Sequence, residues 1–528
     1  MNFSQRLLYP SARSTSFGRV AVATSEPLAA AVGLDVLVRG GNAVDAAIAT
    51  AAVLTVTEPV SNGLGSDAFA LVADGNAVHG LNGSGRAPKG WTREYFAGRD
   101  EMPQRGWNTV TIPGAVSAWV ALNARFGSRS LAELLEPAAN YARHGYGVGP
   151  VTAAAWQAQA DVFTGNNGFA ETFLPGGKAP AAGDLVRLPE TADALDLIAR
   201  TDGAAFYRGA IAEAIVAQSA AEGGVHTMDD FAAHTADWVT PISQRACGYD
   251  IHEIPPNGQG LAVLIALGIL ERLDLGPDPD GVRAYHMQIE AVKLAMADAH
   301  AHIADPAAMA EPPESFLDSA YLDARAALVD PEKVGTPDTG KPPRGGTVLL
   351  TTADADGRMV SFIQSNFDGF GSGCVTRRFG VSCQNRGAAF SLDPASPNCV
   401  APGKRPYHTI IPAIATRDGA PAMAFGMMGG PIQAQGHAQL VTRMGRFGQA
   451  PQTAIDAPRF RALEGVRVAV EDHCPPETVA GLKALGHDVV HDAPGVAFGF
   501  GGAQAIVRHG ALYGAGSDGR KDGQALVR

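Results

Sequence analysis

Charge is scarce in this chain. Only 18% of its 528 residues are Asp, Glu, Lys or Arg, the net charge is -12, and no basic run stands out, so a nucleic-acid partner is not expected. Cysteine is scarcer still. The five cysteines, Cys247, Cys374, Cys383, Cys399 and Cys474, are odd in number, scattered and never spaced CxxC, which excludes a cysteine-based zinc site and fits a reducing cytoplasm. No apolar run reaches the roughly 18 residues of a membrane span, and the alanine-rich "AVDAAIATAAVLTV" is interrupted by Asp45. The N-terminal stretch lacks a charged region followed by an apolar run and a small-residue cleavage site, so export is not expected either. No short tandem repeat or low-complexity tract is present. With 46% hydrophobic residues, a soluble globular protein remains, long enough for a large core and, by length alone, for about three domains of ordinary size.

Helix and strand signals alternate in the first stretch. "EPLAAAVGLDVLVRGGNAVDAAIATAAVLTV" predicts two helices split at Gly40-Gly41, with Asn42 capping the second. "AFALVADGNAVHGLNGSG" predicts a hairpin turning at Asp74-Gly75. Residues 110 to 330 read as mainly helical, "AYHMQIEAVKLAMADAHAHIAD" being an example. Residues 331 to 346, "PEKVGTPDTGKPPRGG", hold four prolines and four glycines and read as a solvated linker. Strands take over at Thr347. "TVLLTTAD" and "RMVSFIQS" predict a hairpin with its turn at Asp356-Gly357, and "YHTIIPAIATRDGAPAMAFGMMGG" a further strand pair, followed by the helical "PIQAQGHAQLVTRM".

The abrupt boundary at Thr347 points to chemistry. A threonine at a strand start is ordinarily structural, since its branched side chain suits the pleat. If the Gly346-Thr347 bond were cut, however, Thr347 would carry a free α-amine beside its own hydroxyl, a base and a nucleophile in one residue. Two preceding glycines permit the backbone angles that attack on the upstream carbonyl demands. Such a nucleophile needs an oxyanion hole. "GMMGGPIQ" places Gly429 and Gly430 between a strand and a helix N-terminus, where approachable amides and the helix dipole coincide; a plain glycine turn is the bland alternative.

Together with "GGNAVDAA", "TEPVSNGLGSDAF", "IPGAVSAW", "GGTVLLTTADADG", "FGSG", "PGKRP", "MMGGPIQ" and "DAPRF", in that order from about residue 18 to the C-terminus, the chain resembles the gamma-glutamyltransferase family. The resemblance implies a four-layer αββα N-terminal-nucleophile hydrolase, made as a proenzyme that cuts itself between Gly346 and Thr347. A large subunit (1–346) and a small subunit (347–528) would then stay associated in one intertwined domain as a heterodimer, a dimer of heterodimers being one further assembly. It implies Thr347 as nucleophile, Ser365 as the neighbouring hydroxyl, Gly429 and Gly430 as oxyanion donors, a small-molecule amide substrate, and no cofactor, metal, nucleic acid or membrane.

The departures from the family pattern concern the substrate. Typical members place an acid beside a phenylalanine to bind the α-amine of a glutamyl group; here "SCQNRGAAF" puts Ala389 there, with Arg386 at the neighbouring polar position. The paired serines after "PGKRP" become His408 and Thr409, and the carboxylate-binding arginine is replaced by Ser84, with Arg86 two positions on. Phe367 stands where a polar substrate-binding residue is common. The loop "SLDPASPNCVA" is short, which predicts an open site. A cation in place of an amine-binding surface disfavours a zwitterion and favours an acid lacking the amine, so Arg86, Arg386, His408 and Thr409 are the candidate substrate-binding residues. The pattern resembles the acylase-like branch of the family, which includes oxamate amidohydrolase and glutaryl-cephalosporin acylase-like proteins.

Other readings stay open. Arg86 and Arg386 could be structural ion-pair residues and His408 a packing histidine. A true gamma-glutamyltransferase, or an inactive member serving as a binding or scaffold protein, would share the fold. His286 and Glu290 stand at i, i+4 with His300 and His302 further along, a spacing that admits a metal; helical pairing of His286 with Glu290 and solvated later histidines is the simpler account. Met287, Ile289, Leu294 and Met296 suit a core-facing helix.

Overall fold

The computed structural model describes residues 12–163, 165, 167–337, 346–492 and 499–528. Half of the expected linker, residues 338–345, lies outside them. Two seven-stranded sheets stack face to face between layers of helix. The first runs, edge to edge, through Gln524–Val527, Ala21–Thr24, Gly346–Ala353, Met359–Phe367, Asp67–Asp74, Ala77–Gly83 and Asp237–Val239, every pair antiparallel. The second runs through Ser16–Gly18, Leu512–Ser517, Gly502–His509, Ala420–Met428, Ala413–Arg417, Tyr249–Glu253 and Ile242–Ala246, again antiparallel throughout.

Both hairpins with Asp-Gly turns form where expected. Gly75 and Gly357 take the left-handed φ (58° and 96°) that tight turns need. Asn42 caps the helix Ala43–Thr57 in a reciprocal box with Asp45, and Gly40 leaves the preceding helix at φ 85°. All fifteen residues of Ala43–Thr57 are buried. Its small side chains let it lie on the first sheet while other helices cover its back, the expected place for a helix without a polar face.

Leu349, Ile363 and Phe69, on the face of the first sheet toward the second, and Met423 and Phe425, on the helix-facing side of the second, share one core with Gly260–Leu270, Val282–His302 and Ile432–Val441. Outward residues of the first sheet, Val348, Leu350, Val360 and Phe362, form another core with Ala43–Thr57. Ser361 ties the sheets together: its hydroxyl donates to the Phe425 carbonyl and accepts from the Ala413 N–H.

Both sheets take strands from either side of Thr347, so the length-based expectation of about three separate domains gives way to one interwoven unit. The mainly helical reading of residues 110 to 330 holds, with helices running from Ala115–Phe126 to Ser319–Ala326. Three strands between Asp237 and Glu253 extend both sheets. They are short, and only part of their surface is buried, so their apolar pattern is weak.

Candidate active site

Thr347 is the second residue of its strand, and it sits in a bulge between Gly346, which pairs with Phe367, and Val348, which pairs with Gln364. Phe367 answers with φ 78°, a backbone region costly for a bulky residue, of order 1–3 kcal/mol, and found mainly where function over-determines it. Ser365 Oγ stands 3.1 Å from Thr347 Oγ1 and accepts the Phe367 N–H at 2.8 Å. One serine thereby holds both the Thr347 hydroxyl and the distorted turn.

The second sheet supplies the other wall. After Met428 the chain turns through Gly429 (φ 123°) and Gly430 (φ 72°), conformations that an L side chain adopts rarely, and enters the helix Ile432–Val441. Gln433, in that helix's first turn, donates from Nε2 to Thr347 Oγ1 at 3.5 Å while its Oε1 accepts the Ile411 N–H at 3.1 Å. Gln259 braces the glycine turn. Its amide donates to the carbonyls of Gly430 and Thr409, and its oxygen accepts from the Tyr407 hydroxyl.

Arg386 is fully buried, on a single turn of 3-10 helix, with its guanidinium carbon 4.1 Å from the centre of the Phe367 ring. Gly387 is required beside it, because a Cβ there would meet the Trp91 ring at 2.5 Å. Arg386 Nη1 donates to Thr409 Oγ1 at 3.0 Å, whereas Nε and Nη2 have no hydrogen-bond partner among the described residues. Burial pulls its pKa down to about 9, with the attraction of Asp67 acting the other way. Burial likewise pushes Asp67 up to about 7, against Arg386 and the Gly85 N–H, which lower it.

Asp67 accepts from His408 Nε2 at 3.1 Å, and His408 Nδ1 accepts the Ile410 N–H. With one ring nitrogen donating and the other accepting, His408 is neutral, and burial holds its pKa well below the ordinary value. In this arrangement the ring bridges Asp67 and the Ile410 N–H.

A model of the gamma-glutamyltranspeptidase family matches residues 29–528. The chain belongs to this family. It is 37% identical over 515 residues to the glutathione hydrolase-like YwrD proenzyme of Bacillus subtilis, covering 94% of this chain and 96% of that one. It is 36% identical over 513 residues to the oxamate amidohydrolase proenzyme of Klebsiella pneumoniae, with the same coverage. Among solved structures, cephalosporin acylase from Bacillus halodurans superposes with a TM-score of 0.96 at 44% identity, over 100% of this chain and 99% of the other. These relatives fall in the acylase-like branch, the fold is the family's αββα sandwich, and the protein is an amide-hydrolysing enzyme of the family.

The structure brings Thr347, Ser365, Arg386 and Thr409 together through Phe367 and Gln433, and keeps Arg86 apart. The Arg86 guanidinium pairs with Asp237 at 3.0 Å, shares that carboxylate with Arg405, and touches the Gly403 carbonyl. Its guanidinium is engaged in an ion pair, the arrangement of the structural alternative. The open site expected from the short loop is also not what the uncleaved chain shows. Thr347 is 1% exposed and Arg386 0%, and Phe390 and Val400, flanking the short loop, pack against Trp91, Phe96 and Met102.

The histidine cluster is a hydrogen-bonded clamp. His286 bonds His487 (Nδ1 to Nε2, 2.8 Å) and the Asp330 carbonyl, not Glu290. Glu290 accepts from Lys293 and from the Gly335 N–H, while Lys293 also donates to the Gly335 carbonyl. The ligand atoms of His286, Glu290 and His487 lie within 4.8 Å of one another, but the ammonium occupies the carboxylate. His300, expected to be solvated, is half-buried, and His302 is exposed. Gln433 and Gln259 were invisible to sequence reasoning because glutamine carries no titratable or nucleophilic group; the closeness of Gln433 to the glycine pair was the available signal.

Proposed function

We propose that the protein is a self-processing threonine amidohydrolase whose substrate is the amide of a small carboxylic acid that lacks an α-amine. The observation that carries this reading is Arg386, a buried cation with two unpartnered donors and, at Ala389, no acid to receive an amine. A carboxylate meeting Nε and Nη2 would complete a paired, charge-assisted contact, with Thr409 holding the third nitrogen. The names of the relatives, oxamate amidohydrolase and cephalosporin acylase, agree with such an acyl group.

In maturation, Thr347 Oγ attacks the Gly346 carbonyl carbon, the C–N bond breaks, and the nitrogen takes a proton to become the free amine. Water then hydrolyses the resulting ester, releasing residues 1–346 from 347–528. In turnover, Oγ attacks the substrate amide while the α-amine takes its proton and passes it to the departing nitrogen. Water attacks the acyl-enzyme, the amine takes the water proton, and Oγ leaves with it. Gly429 and Gly430 N–H groups hold the oxyanion; removing one such donor typically costs about a hundredfold to a thousandfold in rate. Ser365 orients the hydroxyl before the amine exists.

A panel of oxamate, glutaryl amides and glutathione tests the substrate. Hydrolysis of the carboxylate-bearing amides without an α-amine is expected. Turnover of glutathione or a γ-glutamyl anilide at greater efficiency would overturn the reading of Arg386 and Ala389.

A further inference from the structure

We infer that Gln433 is a catalytic residue that assists departure of the Thr347 oxygen when the acyl-enzyme breaks down. Gln433 is fully buried, and its orientation is fixed: the Ile411 N–H can only be accepted by Oε1, so the atom facing Thr347 is the Nε2 donor. Among the described residues Thr347 Oγ1 thus has two polar neighbours, and they differ in kind. Ser365 can accept its proton; Gln433 can only give a hydrogen bond.

A donor aimed at Oγ does little to help the neutral hydroxyl attack. It acts when negative charge sits on that oxygen. In deacylation the tetrahedral carbon sheds Oγ, the C–Oγ electron pair stays on oxygen, and the protonated α-amine of Thr347 returns a proton to it. The Gln433 N–H holds the charge until that proton arrives. The 3.5 Å separation is long for the resting hydroxyl and shortens as Oγ becomes anionic, as catalytic hydrogen bonds do. The same contact serves hydrolysis of the ester formed with Gly346 during maturation.

The inference rests on Thr347 as the nucleophile, and its test is separable from that reading. Gln433→Met in the processed enzyme, given a glutaryl anilide, should show an intact initial burst near one equivalent. Steady-state kcat should fall about tenfold to a hundredfold, below the penalty for a full oxyanion donor because the contact is long. KM should fall with it, because acyl-enzyme accumulates, and acid-quenched samples should carry the acyl mass on residues 347–528. Gln433→Glu should be active only where the carboxyl is protonated and can donate, giving a profile that declines with rising pH. Burst and steady state falling together, or kcat and KM within twofold of the parent, would overturn the inference. If Gln433→Met does not process or fold, Gln433→Glu decides, and an unchanged pH profile overturns it. Failure of the nucleophile assignment shows elsewhere, as a parent small subunit that does not begin at Thr347.

Discussion

Replacing Arg386 with methionine separates recognition from stability. Arg386 is fully buried and its guanidinium makes one hydrogen bond among the described residues, to Thr409, so its charge is poorly compensated. Exchanging a poorly compensated buried charge for an apolar side chain of similar length is often neutral or stabilising. The thermal midpoint of the variant should therefore equal or exceed that of the parent. Recognition should suffer. Truncating one partner of a buried, hydrogen-bonded charge pair costs roughly 2–5 kcal/mol, which is about a 30-fold to several-thousand-fold loss in kcat/KM for an amide bearing a carboxylate. An amide of equal length ending in methyl should lose little. The assay is kcat/KM for the matched pair alongside a thermal melt. A lowered midpoint with equal loss on both substrates would refute the reasoning, because it is what a structural arginine gives.

Three further outcomes are expected. Lys293→Met leaves Glu290 buried without its cation and frees the Gly335 carbonyl, so unfolding free energy should fall by about 3–5 kcal/mol, measured by urea denaturation. Lys293→Met with Glu290→Leu should recover part of that loss. Asp67 titrates near pH 7 beside Arg386; above that pH its carboxylate competes for the guanidinium, so KM for a carboxylate-bearing amide should rise between pH 6 and 8, and a flat profile would contradict this. The sign for stability follows the same shift. Asp67 lies above its unfolded value, so the stability it contributes is present below about pH 4 and is lost as pH rises through 7.

What could be read from sequence was local. Asp74-Gly75 and Asp356-Gly357 announce their hairpins because the turn residues and flanking apolar runs sit within a few positions of each other. Sheet order could not be read, since Thr347's strand lies between partners at Ala21–Thr24 and Met359–Phe367, one of them over three hundred residues away. Arg386 was legible as a cation in an unusual place. Arg86 looked equivalent, but its direction is set by Asp237, 151 residues distant, and no nearby sequence records that. The glutamines escaped for the same reason: Gln433 matters because two sheets place it over one hydroxyl.

The most direct test of the account is the state of the purified chain. Intact mass and N-terminal sequencing should find two polypeptides, residues 1–346 and 347–528, the second starting at Thr347, and Thr347→Ala should remain a single chain. A full-length parent with hydrolase activity, or a Thr347→Ala variant that still separates into the same two pieces, would contradict it.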